Sequence, residues 1–307
     1  MSIFSVQILG SNSSTPSFGR FLSSQHITID NHSYLMDCGE GSQFQLVKYR
    51  VKRNRIRAIF ISHLHGDHVF GLPGVITSFV HFNRIEPIIV IGPTGIREFL
   101  DTLFRLSNVH LNFEVEIREI PETNDFHLIY EDYRVKVYSF PLRHRITTFG
   151  YVFEEKINKH NLDPKILERY QLSYDEIIRL KKGEDIVTES GVKITVKEAC
   201  IPKPRPRKYA YMSDTMFVPD AAKYINGVNL LYHEATYLDD LSKEAEERMH
   251  ATSKQAATIA QIAGVEKLLL GHYSSRYADL TPFLTESREV FPNSHLAIEG
   301  FTFEIER

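Results

Sequence analysis

Short runs of β-branched and aromatic residues alternate along the chain with stretches in which apolar positions recur every three or four residues. Runs near residues 3–9, 25–30 and 33–37 predict strands, and another covers 58–62. Helical patterns start after Gly41 and after Pro73. A further apolar run at 88–91 precedes Gly92-Pro93-Thr94-Gly95, whose turn residues lead into an amphipathic helix over Ile96–Leu106. Strands interleaved with helices predict a layered α/β (α+β) architecture.

Between about residues 154 and 208 the pattern changes. The segments 161–167 and 170–178 are charge-rich and helical in period, without a broad apolar face, which is the pattern of a protruding arm. Alternation resumes at 209–212 and continues through 230–232, a helix over Ser253–Ala263 and a strand over 267–270. No solenoid-type repeat is present. At 307 residues the simplest organisation is one domain over 1–307, interrupted by an arm over 154–208.

Composition narrows the class. Hydrophobic residues at 42% and charged residues at 24% fit a globular protein and exclude wholesale disorder. The apolar opening from Ile3 to Leu9 has no basic flank and is too short for a signal peptide, and no stretch approaches the roughly 20 apolar residues of a membrane span. The cysteines, Cys38 and Cys200, build no disulfide framework and fit a reducing compartment, so a cytoplasmic protein is expected. A net charge of −3 gives no global basic field, so contact with nucleic acid must rest on local patches. Arg50, Lys52, Arg53, Arg55 and Arg57 form one candidate; Lys203, Arg205, Arg207 and Lys208 form another. Such runs are more often solvated faces than binding sites.

The chemistry concentrates in Ser62-His63-Leu64-His65-Gly66-Asp67-His68, just past the strand at 58–62. Imidazoles and a carboxylate on one tight loop offer nitrogen and oxygen ligands suited to zinc or a similar metal. Gly66 permits the sharp turn. Histidines one residue apart on extended backbone point to the same side, so His63 and His65 can grip one ion while Asp67 and His68 reach a second. Further ligands must come from afar. His144, Asp214 and His272 are candidates because each lies at or just past the carboxyl end of a predicted strand, where α/β folds gather their sites. A lone histidine is usually a surface or satisfied core residue, and His26, His32, His81, His110, His127, His160 and His295 are read that way.

With these residues in view, the chain resembles the metallo-β-lactamase superfamily, and within it the ribonuclease Z family. The resemblance rests on the loop from His63 to Gly74, on Tyr34-Leu35-Met36-Asp37-Cys38-Gly39-Glu40-Gly41, on His233-Glu234-Ala235-Thr236, on His250-Ala251-Thr252, and on Gly271-His272-Tyr273-Ser274-Ser275-Arg276-Tyr277. It implies a four-layered αβ/βα sandwich and a zinc-dependent endoribonuclease that cuts the 3′ trailer from precursor tRNA. It implies two zinc ions per subunit: His63, His65 and His144 on one, Asp67, His68 and His272 on the other, with Asp214 bridging. Asp67 is then also the proton acceptor for the attacking water, and Glu234 orients His250 to protonate the leaving oxygen. Arg276 and the basic arm tip, including Lys181 and Lys182, become candidate substrate contacts. The family habit of homodimers, in which one subunit's arm serves the other's site, is also implied. The amino-terminal loop over 10–20 matches the family only loosely, and the arm lacks its Gly-Pro element. The competing readings are a phosphodiesterase for a small or cyclic substrate, and a non-catalytic RNA-binding protein on the same fold.

Overall fold

The computed structural model describes residues 2–123, 125–157, 160–188 and 190–307. Its first half forms β1 (Phe4–Gly10), β2 (Ser24–Ile29), β3 (His32–Cys38), α1 (Ser42–Lys48), β4 (Ile56–Phe60), α2 (Gly66–Val69), α3 (Leu72–His81), β5 (Ile88–Pro93), α4 (Ile96–Leu106) and β6 (Val115–Ile120). Then come β7 (His127–Glu131), β8 (Val135–Leu142) and β9 (Thr148–Glu155). The segment up to residue 207 holds β10 (Asn161–Leu162), α5 (Pro164–Tyr170), α6 (Tyr174–Lys182), β11 (Ile186–Val187), β12 (Lys193–Ile194), α7 (Val196–Ala199) and β13 (Cys200–Ile201). Finally β14 (Lys208–Met212), β15 (Leu230–Glu234), α8 (Ser242–Arg248), α9 (Ser253–Ala263), β16 (Lys267–Gly271), α10 (Thr281–Val290), β17 (Ser294–Leu296) and β18 (Thr302–Glu304) complete the chain.

Two seven-stranded sheets result, ordered β18-β1-β2-β3-β4-β5-β6 and β17-β16-β15-β14-β9-β8-β7. Their facing sides bury one apolar layer rich in rings, with Phe60 edge-on to Phe153 at 5.1 Å between centroids. Outside the first sheet, apolar residues of α1, α3 and α4 cover a second layer; outside the other, α9 and α10 cover a third. The chain therefore forms a four-layered αβ/βα sandwich.

Sequence and structure differ where tertiary bonds decide the ends. Ser62 leaves the β4 ladder because its N–H goes to Asp37 Oδ1 at 2.7 Å. Helix α3 starts at Leu72, with Pro73 in its first turn, where a missing N–H leaves no helical bond unmade. In the arm, Leu162, Leu180, Ile186, Ile194 and Ala199 bury one another. Short elements each supply one or two of these, so no single helix carries an apolar stripe. Only part of the second basic patch is free surface: Lys203 and Arg205 are exposed, but its other two members are engaged. Arg207 is buried, pairs with Glu155 at 2.6 Å and donates to Ile305 O at 2.8 Å, while Lys208 pairs with Glu154 at 2.7 Å.

Arg84 closes the turn between α3 and β5 in an unusual way. The residue is 2% exposed, and its guanidinium donates to the carbonyls of Glu86 (2.7 Å), Ile56 (2.9 Å), Pro87 (2.7 Å) and Arg53 (3.3 Å). A methionine there fills similar space and leaves those acceptors dry. Arg84→Met is expected to cost about 3 kcal/mol, read as a lower denaturant midpoint at unchanged m-value. A midpoint within error of the parent would show that the carbonyls find other donors.

Candidate metal centre

Strand direction gathers the polar groups at one edge of the sandwich. Strands β3 to β6 run parallel, as do β14 to β17, and β8 and β9 form an antiparallel pair. The loop after β4 carries His63 and His65, and the short helix α2 that follows carries Asp67 and His68. His144 lies between β8 and β9, Asp214 just past β14, Glu234 at the end of β15 and His272 just past β16. Tyr151 OH donates to Ile61 O at 2.7 Å and Phe149 N–H to Ser62 O at 3.0 Å, which ties the metal-type loop of one sheet to the other.

Close backbone approach shapes this loop. A Cβ on Gly71 would come within 2.2 Å of Gly39 O, and one on Gly39 within 2.4 Å of Asp67 O. Only glycines let the β3 end and the metal-type loop lie this close.

Three groups of ligand-type side chains converge, with donor atoms of each group within 4.8 Å of one another: His63, His65, His144 and Asp214; Asp67, His68, Asp214 and His272; and Glu234, His250 and His272. His63 Nε2 lies 3.0 Å from His65 Nδ1, His144 Nε2 lies 3.2 Å from the same atom, and His68 Nε2 lies 3.2 Å from His272 Nε2. Asp214 is buried and shared by the first two groups, its Oδ1 making no hydrogen bond although His68 Nε2 and His272 Nε2 are 3.2 and 3.1 Å away. Lone pairs of several imidazoles aimed at common points, around an orphaned carboxylate oxygen, fit cations rather than protons.

The far side of four of these rings is fixed. His63 Nδ1 meets Ser62 Oγ at 3.0 Å, His68 Nδ1 meets Asp37 Oδ2 at 2.7 Å, His144 Nδ1 meets Met249 O at 2.9 Å, and His272 Nδ1 meets Thr236 Oγ1 at 2.9 Å. Such partners set tautomer and ring direction. Asp37 itself accepts from Tyr211 OH at 2.7 Å and Ser62 Oγ at 2.8 Å, and holds a left-handed φ of 55°. A non-glycine residue there is strained, and those bonds hold it in place.

Charge follows geometry. Burial pushes the Asp67 carboxyl up, but the neighbouring His68 and His272 rings outweigh it and hold it below the usual carboxylate range. Ser14 N–H donates to Asp67 Oδ2 at 2.7 Å. Burial pushes His63 down, towards the neutral form that ligates metal. Glu234 is fully buried; Oε1 accepts from Thr215 N (3.0 Å) and meets His250 Nδ1 (2.9 Å), while Oε2 accepts from Thr236 N (3.0 Å) and Thr236 Oγ1 (2.8 Å). Burial opposes a charge on His250, yet the Glu234 carboxylate prevails and raises it to about 9.

These groups open into a cleft of about 900 Å³ whose lining includes Ser14, Glu40, Phe70, Arg145, Tyr237 and Arg248 beside the metal-type residues. Arg276 stands on its rim, already paired with Glu244 at 2.9 and 3.1 Å. Lys181 and Lys182 lie on α6 in the arm, outside the cleft lining. The sequence offered no signal for Asp37, Ser62 or Thr236 as ring-holders, since each is an ordinary polar residue at a strand end until the fold pairs it.

This fold and site define a metallo-β-lactamase-fold metallohydrolase. Residues 4–289 match the family model described as Anti-Pycsar protein Apyc1. Ribonuclease Z of Porphyromonas gingivalis is 41% identical over 305 residues, covering 99% of this chain and all 100% of that one. The enzyme of the same name from Cytophaga hutchinsonii is 42% identical, covering 98% and 96% respectively. The structure of human tRNase Z, short form, superposes with a TM-score of 0.74 at 27% identity, covering 99% and 100%. The chain belongs to the matched family and, by its full-length relatives, to the ribonuclease Z family.

Proposed function

We propose that this chain is a metal-dependent endoribonuclease that removes the 3′ trailer from precursor tRNA. The carrying observation is the pair of ligand clusters sharing Asp214, with the His250–Glu234 pair beside them. Full-length similarity to proteins named ribonuclease Z supports the substrate.

His63, His65 and His144 would hold one zinc ion, Asp67, His68 and His272 a second, with Asp214 on both. When bound, the ions supply Lewis acidity to a water and to the phosphodiester. Asp67 takes a proton from the attacking water. The new P–O bond forms as the bond to the 3′ oxygen breaks, and His250 gives its proton to that oxygen, leaving a 3′ hydroxyl on the tRNA and a 5′ phosphate on the trailer. Glu234 holds His250 Nδ1, which leaves Nε2 for the leaving group. Arg276, and Lys181 and Lys182 on the arm, would contact RNA phosphates, with binding that weakens as salt rises.

Two unpaired cysteines support a cytoplasmic setting, and no helix among the described residues is long and apolar enough to cross a membrane. Exposed Phe44 and Val47 on α1 support a homodimer. The decisive experiment incubates purified protein with 3′-extended precursor tRNA and maps the ends. A single metal-dependent cut beside the discriminator base is expected. Turnover of small phosphodiesters without any cut in the precursor would replace this reading with that of a small-substrate phosphodiesterase.

A further inference from the structure

One aromatic ring at the mouth of the cleft has no part in the chemistry above. Phe70 lines the cleft with His65, Asp67 and His250, yet it is 62% exposed. Its position is fixed. The ring lies stacked on Phe99, 12° from parallel with centroids 6.3 Å apart. It also covers Gly66, where a Cβ would come within 2.4 Å of Phe70 Cε2. The other aromatic side chain of this lining besides histidine, Tyr237, is 3% exposed and has the Arg276 guanidinium 5.1 Å from its ring centre. Arg145 and Arg248 suit phosphates rather than bases. Phe70 is therefore the ring with surface to offer. An ordered phenyl group loses little freedom on stacking, and every nucleobase has a face to stack.

We propose that Phe70 stacks on the base of the first trailer nucleotide, the one whose 5′ oxygen carries the scissile phosphate. The proposal rests on the nuclease reading above. Phe70 caps the short helix α2 that carries Asp67, the group read above as taking the proton of the attacking water. In-line displacement sends the 3′ oxygen, and with it the tRNA body, towards His250 on the other side. The trailer's 5′ oxygen stays equatorial on phosphorus, so its nucleotide leaves the reaction axis sideways, along the cleft wall that Phe70 lines. Stacking of this kind accepts any base and requires that there be one.

The test uses two precursors, one natural and one with an abasic first trailer nucleotide, on the wild type, Phe70→Leu and Phe70→Tyr. For the wild type, kcat/KM is expected to fall roughly tenfold or more on the abasic precursor. Phe70→Leu should show a similar fall on the natural precursor and no further fall on the abasic one, while Phe70→Tyr behaves as wild type. Unchanged bound-metal stoichiometry reports that the loop is intact. Losses that multiply, or a leucine variant with full activity, overturn the proposal. A 2-aminopurine placed at that position and bound to Asp67→Ala protein should lose emission, and unaltered emission also overturns it. If the wild type cuts neither precursor, the nuclease reading itself falls, and stacking with it.

Discussion

Asp67→Ala is expected to lower kcat for precursor tRNA on the order of 10⁴-fold, because one side chain serves as both ligand and proton acceptor. Asp67 stands in the cluster with His68, Asp214 and His272, and its Oδ2 is steadied by the Ser14 N–H. The substitution leaves the cluster of His63, His65, His144 and Asp214 complete. Metal analysis should therefore show reduced rather than abolished binding, with folding kept. Turnover within tenfold of the parent would remove Asp67 from the mechanism, whatever the metal content.

The second large effect separates leaving groups. His250→Ala should cut kcat on precursor tRNA by about 10²- to 10⁴-fold, because an alkoxide leaves poorly without a proton. An aryl phosphodiester whose leaving group is a stable phenolate needs no acid and should lose little. Equal losses on both substrates would mean that His250 supports the metal cluster instead, as its 4.0 Å approach to Asp214 would permit. Glu234→Gln is expected to follow the His250 pattern in milder form, since the amide still meets the ring but carries no charge to hold it protonated.

Placement of the site was legible to different depths in the sequence. The loop from His63 to His68 announces itself because ligand-type residues crowd a few positions, a density that ordinary folding does not demand. His144, Asp214 and His272 were placed by strand-end logic; parallel strands bring Asp214 and His272 to one edge, and the turn of the antiparallel β8–β9 pair brings His144 there. Glu234 and His250 came only from resemblance, since neither has a telling neighbourhood of its own. Arg84 was hidden for another reason: its partners are carbonyls, which every residue possesses. The arm's small core was hidden because its apolar residues are scattered over short elements. Likewise Phe70 sits in a legible motif, but the chain cannot announce which of its aromatic rings will remain in solvent.

Where the arm joins the sandwich has a further consequence. Strand β9 starts beside the catalytic edge and ends at Glu155, and β14 begins at Lys208 opposite Glu154, so both ends of the inserted segment leave from the far end of those strands. At about 3.3 Å per residue, the eight residues of β9 set the root roughly 25 Å from the scissors. Any substrate that touched both places would have to bridge that gap, so contact with the arm would select by length and stiffness rather than by letter.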